Sequence, residues 1–524
     1  MIAPAQAPAG GRAEILVAHS YYLLDDPKQV EKMRPYSPLA TLITAAVLRE
    51  RGHGVALFDA MLAPGTDAFV RMLDDVRPRI VALVEDSFNF LTKMCTLRMR
   101  ESALAMVRAA HAAGCRVVVN GSDASDHPAL YLAAGADAVL LGDPESGVPE
   151  LAELWLRDPG AALDGVAGLA LPAEPAAAGR LTVLAGGCGL RGDATVRRTA
   201  PRAAVRDLDA LPLPAWDLVD AEAYRRAWTG AHGRLSWNVV TSRGCPYGCN
   251  WCAKPLFGRR YDQRSPGDVA AEIRLLKETV APDHLWFADD IFGLTAEWIQ
   301  AFADEVARLD ARTPFMMQTR VNLMRPATVA ALAAAGAEEV WLGVESGSQK
   351  ILDAMEKGSR VDQVRTATRT LKAHGIRACW FIQLGYLGED WDDVLLTRDL
   401  VREERPDDIG VSVSYPLPGT KFHAAVQAQM GAKQNWSDTD DLAMLFHGTF
   451  STAFYKQLRD VLHREARPDA DRAALDLRWA ELAAEAAVQV AETAAAADVA
   501  DADAGDAGVA DRDAGEAVLA GAAA

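Results

Sequence analysis

The chain is poor in cysteine, in basic charge and in long apolar runs, and each shortage closes off a class of function. Only seven of 524 residues are cysteine: Cys95, Cys115, Cys188, Cys245, Cys249, Cys252 and Cys379. They form no regular framework of pairs, which excludes a disulfide-stapled secreted scaffold and predicts a reducing, cytoplasmic compartment. Lysine and arginine together number 54 against 72 aspartates and glutamates, a net charge of −18. That balance predicts no broad nucleic-acid-binding surface. Much of the acidity sits in the C-terminal stretch and says nothing about a site. No uninterrupted apolar run approaches the roughly 18 residues that span a bilayer, so no membrane span is expected. Residues Met1 to Ala13 lack a basic region followed by an apolar run, and no signal peptide is expected. What the chain does have is hydrophobic residues, 50% of the total. Its length predicts about three domains.

Residues 13–155 alternate short apolar runs with helical patterns. Strands are expected at Ile15–Ala18, Val55–Phe58, Ile80–Val84, Arg116–Asn120 and Ala138–Leu141, with helices at Leu39–Arg51, Ser102–Ala113 and Ala129–Ala134. Buried strands separated by helices predict an open, parallel, doubly wound sheet. Ligands of such sheets sit at the carboxyl ends of the strands. The ligand-facing turns are therefore expected at His19–Asp26, Glu85–Phe90 and Asn120–Asp126. Residues 156–235 turn Pro-, Gly- and Ala-rich and are expected to be a linker. Gly187-Cys-Gly-Leu-Arg-Gly192 within it matches G-x-G-x-x-G, but no βαβ unit surrounds it, and it is expected to be a hairpin turn.

A second periodic block spans residues 236–430. Strands are expected at Trp237–Thr241, Leu285–Ala288, Phe315–Val321, Val340–Val344, Arg377–Leu384 and Ile409–Ser414. Helices follow them, one starting at Ser265-Pro266 with Ser as N-cap and Pro in the first turn, another capped by Thr295. Six successive strand–helix units predict a partial (β/α)6 barrel of the TIM type, open on one side, with chemistry at the strand carboxyl ends. Residues 431–467 carry Trp436, Phe446, Phe450, Phe454 and Tyr455 and are expected to form a small packed cap. Residues 468–524 are expected to be a helix near 473–493 followed by a disordered acidic Ala/Asp-rich tail.

The strongest local signal is Arg243-Gly-Cys-Pro-Tyr-Gly-Cys-Asn-Trp-Cys252, directly after the first strand of the second block. It sets three thiols on one short loop in C-x3-C-x2-C spacing. Structural zinc takes four protein ligands, so three imply an open metal position where chemistry occurs. Soft thiolates select zinc or iron–sulfur clusters, and three would leave one iron of a [4Fe–4S] cluster for another ligand. A degenerate zinc knuckle is the bland alternative.

This motif, with Tyr247 and Trp251, resembles that of the radical S-adenosylmethionine (SAM) enzymes. The resemblance implies that Cys245, Cys249 and Cys252 hold a [4Fe–4S] cluster and that SAM chelates the open iron and is cleaved to a 5′-deoxyadenosyl radical. It continues along the block. Phe287-Ala-Asp-Asp-Ile-Phe292 is similar to the segment that approaches the SAM amino group, which implies Asp289 and Asp290 as its acceptors. Gln318 and Arg320 resemble positions that reach the SAM carboxylate or ribose, Glu345 and Ser346 the SAM-contacting motif, and Gly385 and Gly388 the turn against adenine.

The first block resembles the cobalamin-binding domain of the B12-dependent radical SAM class in Pro38-Leu-Ala40, Gly121–Asp126, Gly135-Ala-Asp137 and Gly142-Asp-Pro-Glu145. Leu211-Pro-Leu-Pro-Ala-Trp216 and Pro416-Leu-Pro-Gly-Thr420 are similar to segments of that class. The likeness implies cobalamin contacts at Ser87, Gly121, Ser122 and Gly142. Two departures stand out: no D-x-H-x-x-G motif supplies a cobalt-ligating His, and Asn120-Gly-Ser-Asp123 replaces the commoner Gly-Gly-Pro form.

Together these features imply an enzyme that methylates a carbon centre of a small-molecule or natural-product substrate. It would be served by an electron donor such as a flavodoxin or ferredoxin. Oxidative cyclisation, as in anaerobic magnesium-protoporphyrin monomethyl ester cyclase, or another radical rearrangement is the alternative within the class. Methylthiolation of tRNA fits less well, because Cys95, Cys115 and Cys188 lack a cluster spacing and the C-terminus is acidic. A cobalamin or SAM sensor, or an assembly partner, is the non-enzymatic alternative.

Overall fold

The structure is a computed structural model that describes residues 13–89, 96–173, 196–252, 258–431, 433, 435–441 and 443–492. The Gly187–Gly192 run, Cys95, Cys188 and the acidic tail beyond residue 492 lie outside the described residues. Among those described, no helix is long and apolar enough to cross a membrane.

The first sheet contains β1 (Ile15–Ala18), β2 (Val55–Phe58), β3 (Ile80–Val84), β4 (Arg116–Asn120), β5 (Ala138–Leu140), β6 (Leu169–Pro172) and β7 (Val196–Arg198) in the order β2-β1-β3-β4-β5-β6-β7. The first five are parallel, and β6 and β7 extend the sheet antiparallel. Every residue of β1 and β3 is buried, as expected of strands covered by helices on both faces. The order reverses between β1 and β3, and crevices at such reversals bind ligands in doubly wound sheets. The expected doubly wound Rossmann-like architecture is thus present. Strands β6 and β7 arise from the stretch read as linker, as does a helix at Ala221–His232 capped by Asp220. Helices at Thr66–Val76 and Pro144–Arg157 also went unread in the sequence.

The second sheet runs β8 (Ser236–Val239), β11 (His284–Phe287), β12 (Phe315–Thr319), β13 (Ala337–Glu345), β14 (Arg377–Leu384) and β15 (Asp408–Val413), all parallel and adjacent in that order. This is the partial (β/α)6 barrel. A short antiparallel pair, β9 (Ser242–Arg243) with β10 (Asp262–Gln263), follows β8 and brackets the cysteine loop. The Ser265 side chain accepts from Asp268 N and that of Thr295 from Trp298 N, the caps read from the sequence. The helix-facing residues Val340, Leu342, Val344, Ala378, Trp380 and Ile382 are all at most 1% exposed. That face is the core.

The two domains share one continuous apolar cluster reaching from Ile15 through Trp216 and Trp237 to Trp380. At the open side of the barrel, Ser37 of the first domain interlocks with Asn238 of β8. Asn238 Oδ1 accepts from Ser37 N (2.8 Å) and Ser37 Oγ (2.6 Å), and its Nδ2 donates to Ser37 O (2.7 Å). Tyr36 packs edge-on against Trp286 of β11. The cap buries Trp436, Phe446, Phe450, Phe454 and Tyr455. It joins the first domain where Leu97 N donates to Trp436 O and Thr439 Oγ1 to Asp26 Oδ1.

Candidate active site

The cysteine loop leaves β9 at Gly244, whose φ is +79° and where a Cβ would lie 2.2 Å from Arg260 O. Only glycine fits that close approach and that backbone region. Cys245, Cys249 and Cys252 are half-buried and form no disulfide among the described residues. Asn250 pins the loop. Its N donates to Met355 O (3.1 Å) and its Nδ2 to Ala354 O (2.8 Å), while its Oδ1 accepts from Tyr386 OH (2.7 Å) and its O from Phe422 N (3.1 Å). Neither Asn250 nor Tyr386 was singled out in the sequence, because their partners are distant along the chain, Asn250 and Tyr386 themselves being 136 residues apart.

Burial, then Asp290, then the two neighbouring thiols push the Cys252 thiol up to about 12. Three thiols and a carboxylate crowded together in this way suit a cationic occupant. Among the described residues no three His, Cys, Asp or Glu side chains converge on a single ion. A cluster cube makes no such demand, since each thiolate binds a different iron. Two cations border the loop. Arg320 Nη1 is 3.4 Å from Cys249 Sγ, its guanidinium lies 3.9 Å from the centre of the Tyr247 ring, and its Nη2 donates to Lys357 O. Lys357 Nζ lies 5.8 Å from the centre of the Trp251 ring and donates to Glu345 Oε1 (2.6 Å). Lys357 also went unread, having no motif around it. The chemistry of this donor set fits a thiolate-held cluster.

The remaining polar positions divide by what they already hold. Asp289 is fully buried. Its carboxylate accepts from Thr241 N (3.0 Å), Thr241 Oγ1 (2.8 Å) and Ser242 Oγ (2.5 Å), and burial pushes it up to about 6. It ties the start of the cysteine segment to β11, and Asp290 is the member of the pair that acts on the thiols. Gln318 Nε2 donates to Asp289 O (2.6 Å). Glu345 has φ +65° at the end of β13, beside a register shift. A non-glycine residue in this region stores strain of the kind found at functional sites. Ser346 Oγ accepts from Ser348 N (3.1 Å) and lies 3.3 Å from Thr397 Oγ1, so it serves the turn. Gly385 and Gly388 shape the turn after β14, where Gly385 N donates to Glu389 Oε2 (2.6 Å). Burial pushes Glu389 up to about 8.

In the first domain Ser87, Gly121, Ser122 and Gly142 all lie at strand carboxyl ends. Ser87 is buried beside Glu85, and a Cβ on Gly121 would meet Glu85 at 2.9 Å. Asn120 Nδ2 donates to Gly142 O (3.0 Å). Ser20 Oγ, Asn120 Oδ1 and Ser122 Oγ are buried without a hydrogen-bond partner among the described residues. Such orphans are rare, and three at one end of the sheet fit an occupant rich in amides. The Gly142–Glu145 motif faces the barrel. Glu145 accepts from Arg243 Nη2, Asp143 accepts from Arg260 Nη2 (2.7 Å), and Phe88 lies under Arg243. The carboxyl ends of β3 and β5 therefore meet the cysteine loop.

Residues 239–401 match the radical SAM superfamily model. An uncharacterized methyltransferase of Pyrococcus horikoshii is 26% identical over 302 residues, covering 57% of this chain and 60% of that protein. Hopanoid C-3 methylase of Methylococcus capsulatus is 26% identical over 398 residues, covering 73% and 67%. The chain thus spans about three fifths to two thirds of these relatives' length. Among solved structures, the radical SAM methyltransferase TsrM of Kitasatospora setae, with cobalamin and a [4Fe–4S] cluster bound, superposes with TM-score 0.62 at 18% identity, over 80% of this chain and 75% of that one. The matched domain implies a [4Fe–4S] cluster and SAM as cofactors, and the chain shares its two-domain fold with the cobalamin-bound TsrM structure.

Proposed function

We propose that the chain uses a [4Fe–4S] cluster, SAM and cobalamin to methylate a carbon centre of a small molecule. The observation that carries this reading is the meeting of two sets of strand carboxyl ends at one loop: Phe88, Asp143 and Glu145 from the first sheet lie against Arg243, two residues before Cys245. When bound, the cluster with SAM supplies a hydrogen-abstracting radical and cobalamin a transferable methyl group, the hard chemistry that proteins leave to cofactors. Cys245, Cys249 and Cys252 hold the cluster. Asp290, which acts on the Cys252 thiol, and Glu345, paired with Lys357, bind the SAM ammonium. Arg320 and Lys357 offset the negative charge of the sulfur site, and the glycine turn at Gly385 admits the adenine. Ser20, Asn120 and Ser122 receive the amide-bearing cobalamin, with Ser87, Gly121 and Gly142 forming its bed. The N-terminal domain thereby closes the side that six strands leave open and excludes water from the reacting centre.

The reading is tested with anaerobically reconstituted protein, a low-potential reductant, CD3-labelled SAM and a small-molecule extract of the source cells. Methyl transfer yields 5′-deoxyadenosine, S-adenosylhomocysteine and a product that has gained the labelled methyl. 5′-Deoxyadenosine without S-adenosylhomocysteine would overturn methylation and leave cyclisation or rearrangement. Neither 5′-deoxyadenosine nor S-adenosylhomocysteine would overturn the enzymatic reading itself.

A further inference from the structure

Filled barrels bury layers of side chains along their axis, but the axial face of this one holds an open aromatic platform. Trp341 of β13 and Phe381 of β14 point to that face, since Gly410 of β15, register partner of Phe381, would place a Cβ 3.4 Å from both rings. The two rings are stacked with centroids 4.7 Å apart and planes at 28°. They belong to neither apolar core cluster. Phe381 is 37% exposed although it lies in an interior strand whose neighbours Trp380 and Ile382 are at most 1% exposed.

The row across three strands reads Gly343–Phe381–Gly410. Neither glycine has positive φ, so backbone conformation does not call for them; space does. Glycine within a strand often marks close approach of a ligand. Gly343 leaves room for Lys357 Nζ, 2.7 Å from where its Cβ would sit, and so joins the platform to the Glu345–Lys357 pair. Below, Trp341 Nε1 donates to Glu339 Oε1 (2.6 Å), and Arg377 holds the other carboxylate oxygen. The indole is fixed in orientation and offers only its stack.

We infer that the face of Phe381 turned away from Trp341 binds a flat aromatic ring of the substrate, extending the stack of the two rings. A saturated ring would gain burial there but not the offset stacking that aromatic pairs add. This inference rests on the reading that the barrel holds the reacting centre, and it adds the substrate class.

The test titrates the reconstituted full chain with naphthol and with its saturated counterpart decahydronaphthol, followed by ligand-observed NMR. Naphthol is expected to bind several-fold more tightly. Phe381→Leu keeps an apolar side chain without a flat face and is expected to weaken naphthol roughly three- to tenfold, erasing the preference. Gly410→Val, which crowds both rings, is expected to do the same. Equal affinities for the two probes, or unchanged naphthol binding in both variants, would overturn the inference. Iron and sulfide per chain, measured on the same samples, keep the two readings apart. Clustered protein without ring preference sinks this inference alone, and ring preference without a cluster sinks only the cofactor reading.

Discussion

Arg243 and Glu145, 98 residues apart in sequence, form an ion pair in which neither residue is more than 3% exposed. One belongs to the strand that launches the cysteine loop and the other to the helix after β5. Removing one partner of a buried pair strands the other charge, at a cost of about 3–5 kcal/mol. Asp143, 3.9 Å from Arg243, offsets part of that loss. Glu145→Ala is therefore expected to lower the denaturant midpoint by the equivalent of about 2–4 kcal/mol and to reduce iron retained per chain. Glu145→Leu with Arg243→Met is expected to recover most of the stability. If Glu145→Ala unfolds like the parent chain, the joint is not what seats the loop.

Asn250 makes hydrogen bonds to four residues that hold the middle of the cysteine motif. Asn250→Ala is expected to cost about 1–3 kcal/mol for the polar groups it leaves unpaired, and to lose the iron–sulfur absorbance on gel filtration. Asn250→Asp keeps the acceptor for Tyr386 OH but loses the donor to Ala354 O. It is expected to fall between.

The two residues of the β13 motif should separate. Glu345 faces Lys357 beside the cysteine loop, and Ser346 is spent on its own turn. Glu345→Gln is expected to weaken SAM binding roughly tenfold, the loss of one charge-assisted contact. Ser346→Ala is expected to change SAM affinity less than about twofold while costing about 1 kcal/mol of stability. Calorimetric titration of SAM into reconstituted protein checks both, and equal losses would contradict the assignment.

Glu389, pushed up to about 8 by burial, sets a pH dependence. Its folded-state pKa exceeds the unfolded one, so between about 4.5 and about 8 the folded chain binds more protons. Stability then falls as pH rises across that window. At about 1.4 kcal/mol per unit the effect reaches a few kcal/mol. Glu389→Gln retains an acceptor for Gly385 N and is expected to flatten the fall in Tm between pH 6 and 8. An unchanged slope would show that Glu389 stays ionised.

The sequence was most legible where structure is local. The strands Ile15–Ala18, Val55–Phe58, Ile80–Val84, Arg116–Asn120 and Arg377–Leu384 have the expected ends, because short, largely apolar runs bounded by turn residues admit one reading. Strands β6 and β7 were illegible, being short, bordered by Pro and Gly, and defined by antiparallel pairing to a distant edge. The cysteine spacing announced its chemistry; Lys357, Arg260 and Phe381 did not, since only folding brings them to the loop or the axis, and Asn250, within the motif, meets its partners only on folding. Spacing also cannot show which of two adjacent acids is already satisfied. Asp289 and Asp290 read alike in sequence, and the bonds from Thr241 and Ser242 distinguish them.

The account stands or falls on the two cofactors meeting in one chain. The most direct measurement is cobalamin bound per chain, by cyanide extraction and absorbance, after anaerobic purification from cobalamin-fed cells. About one equivalent beside an intact cluster is predicted, lost when Ser122 and Asn120 are replaced by bulky apolar residues. Almost none, in folded protein that retains its cluster, would contradict the methyl-transfer account.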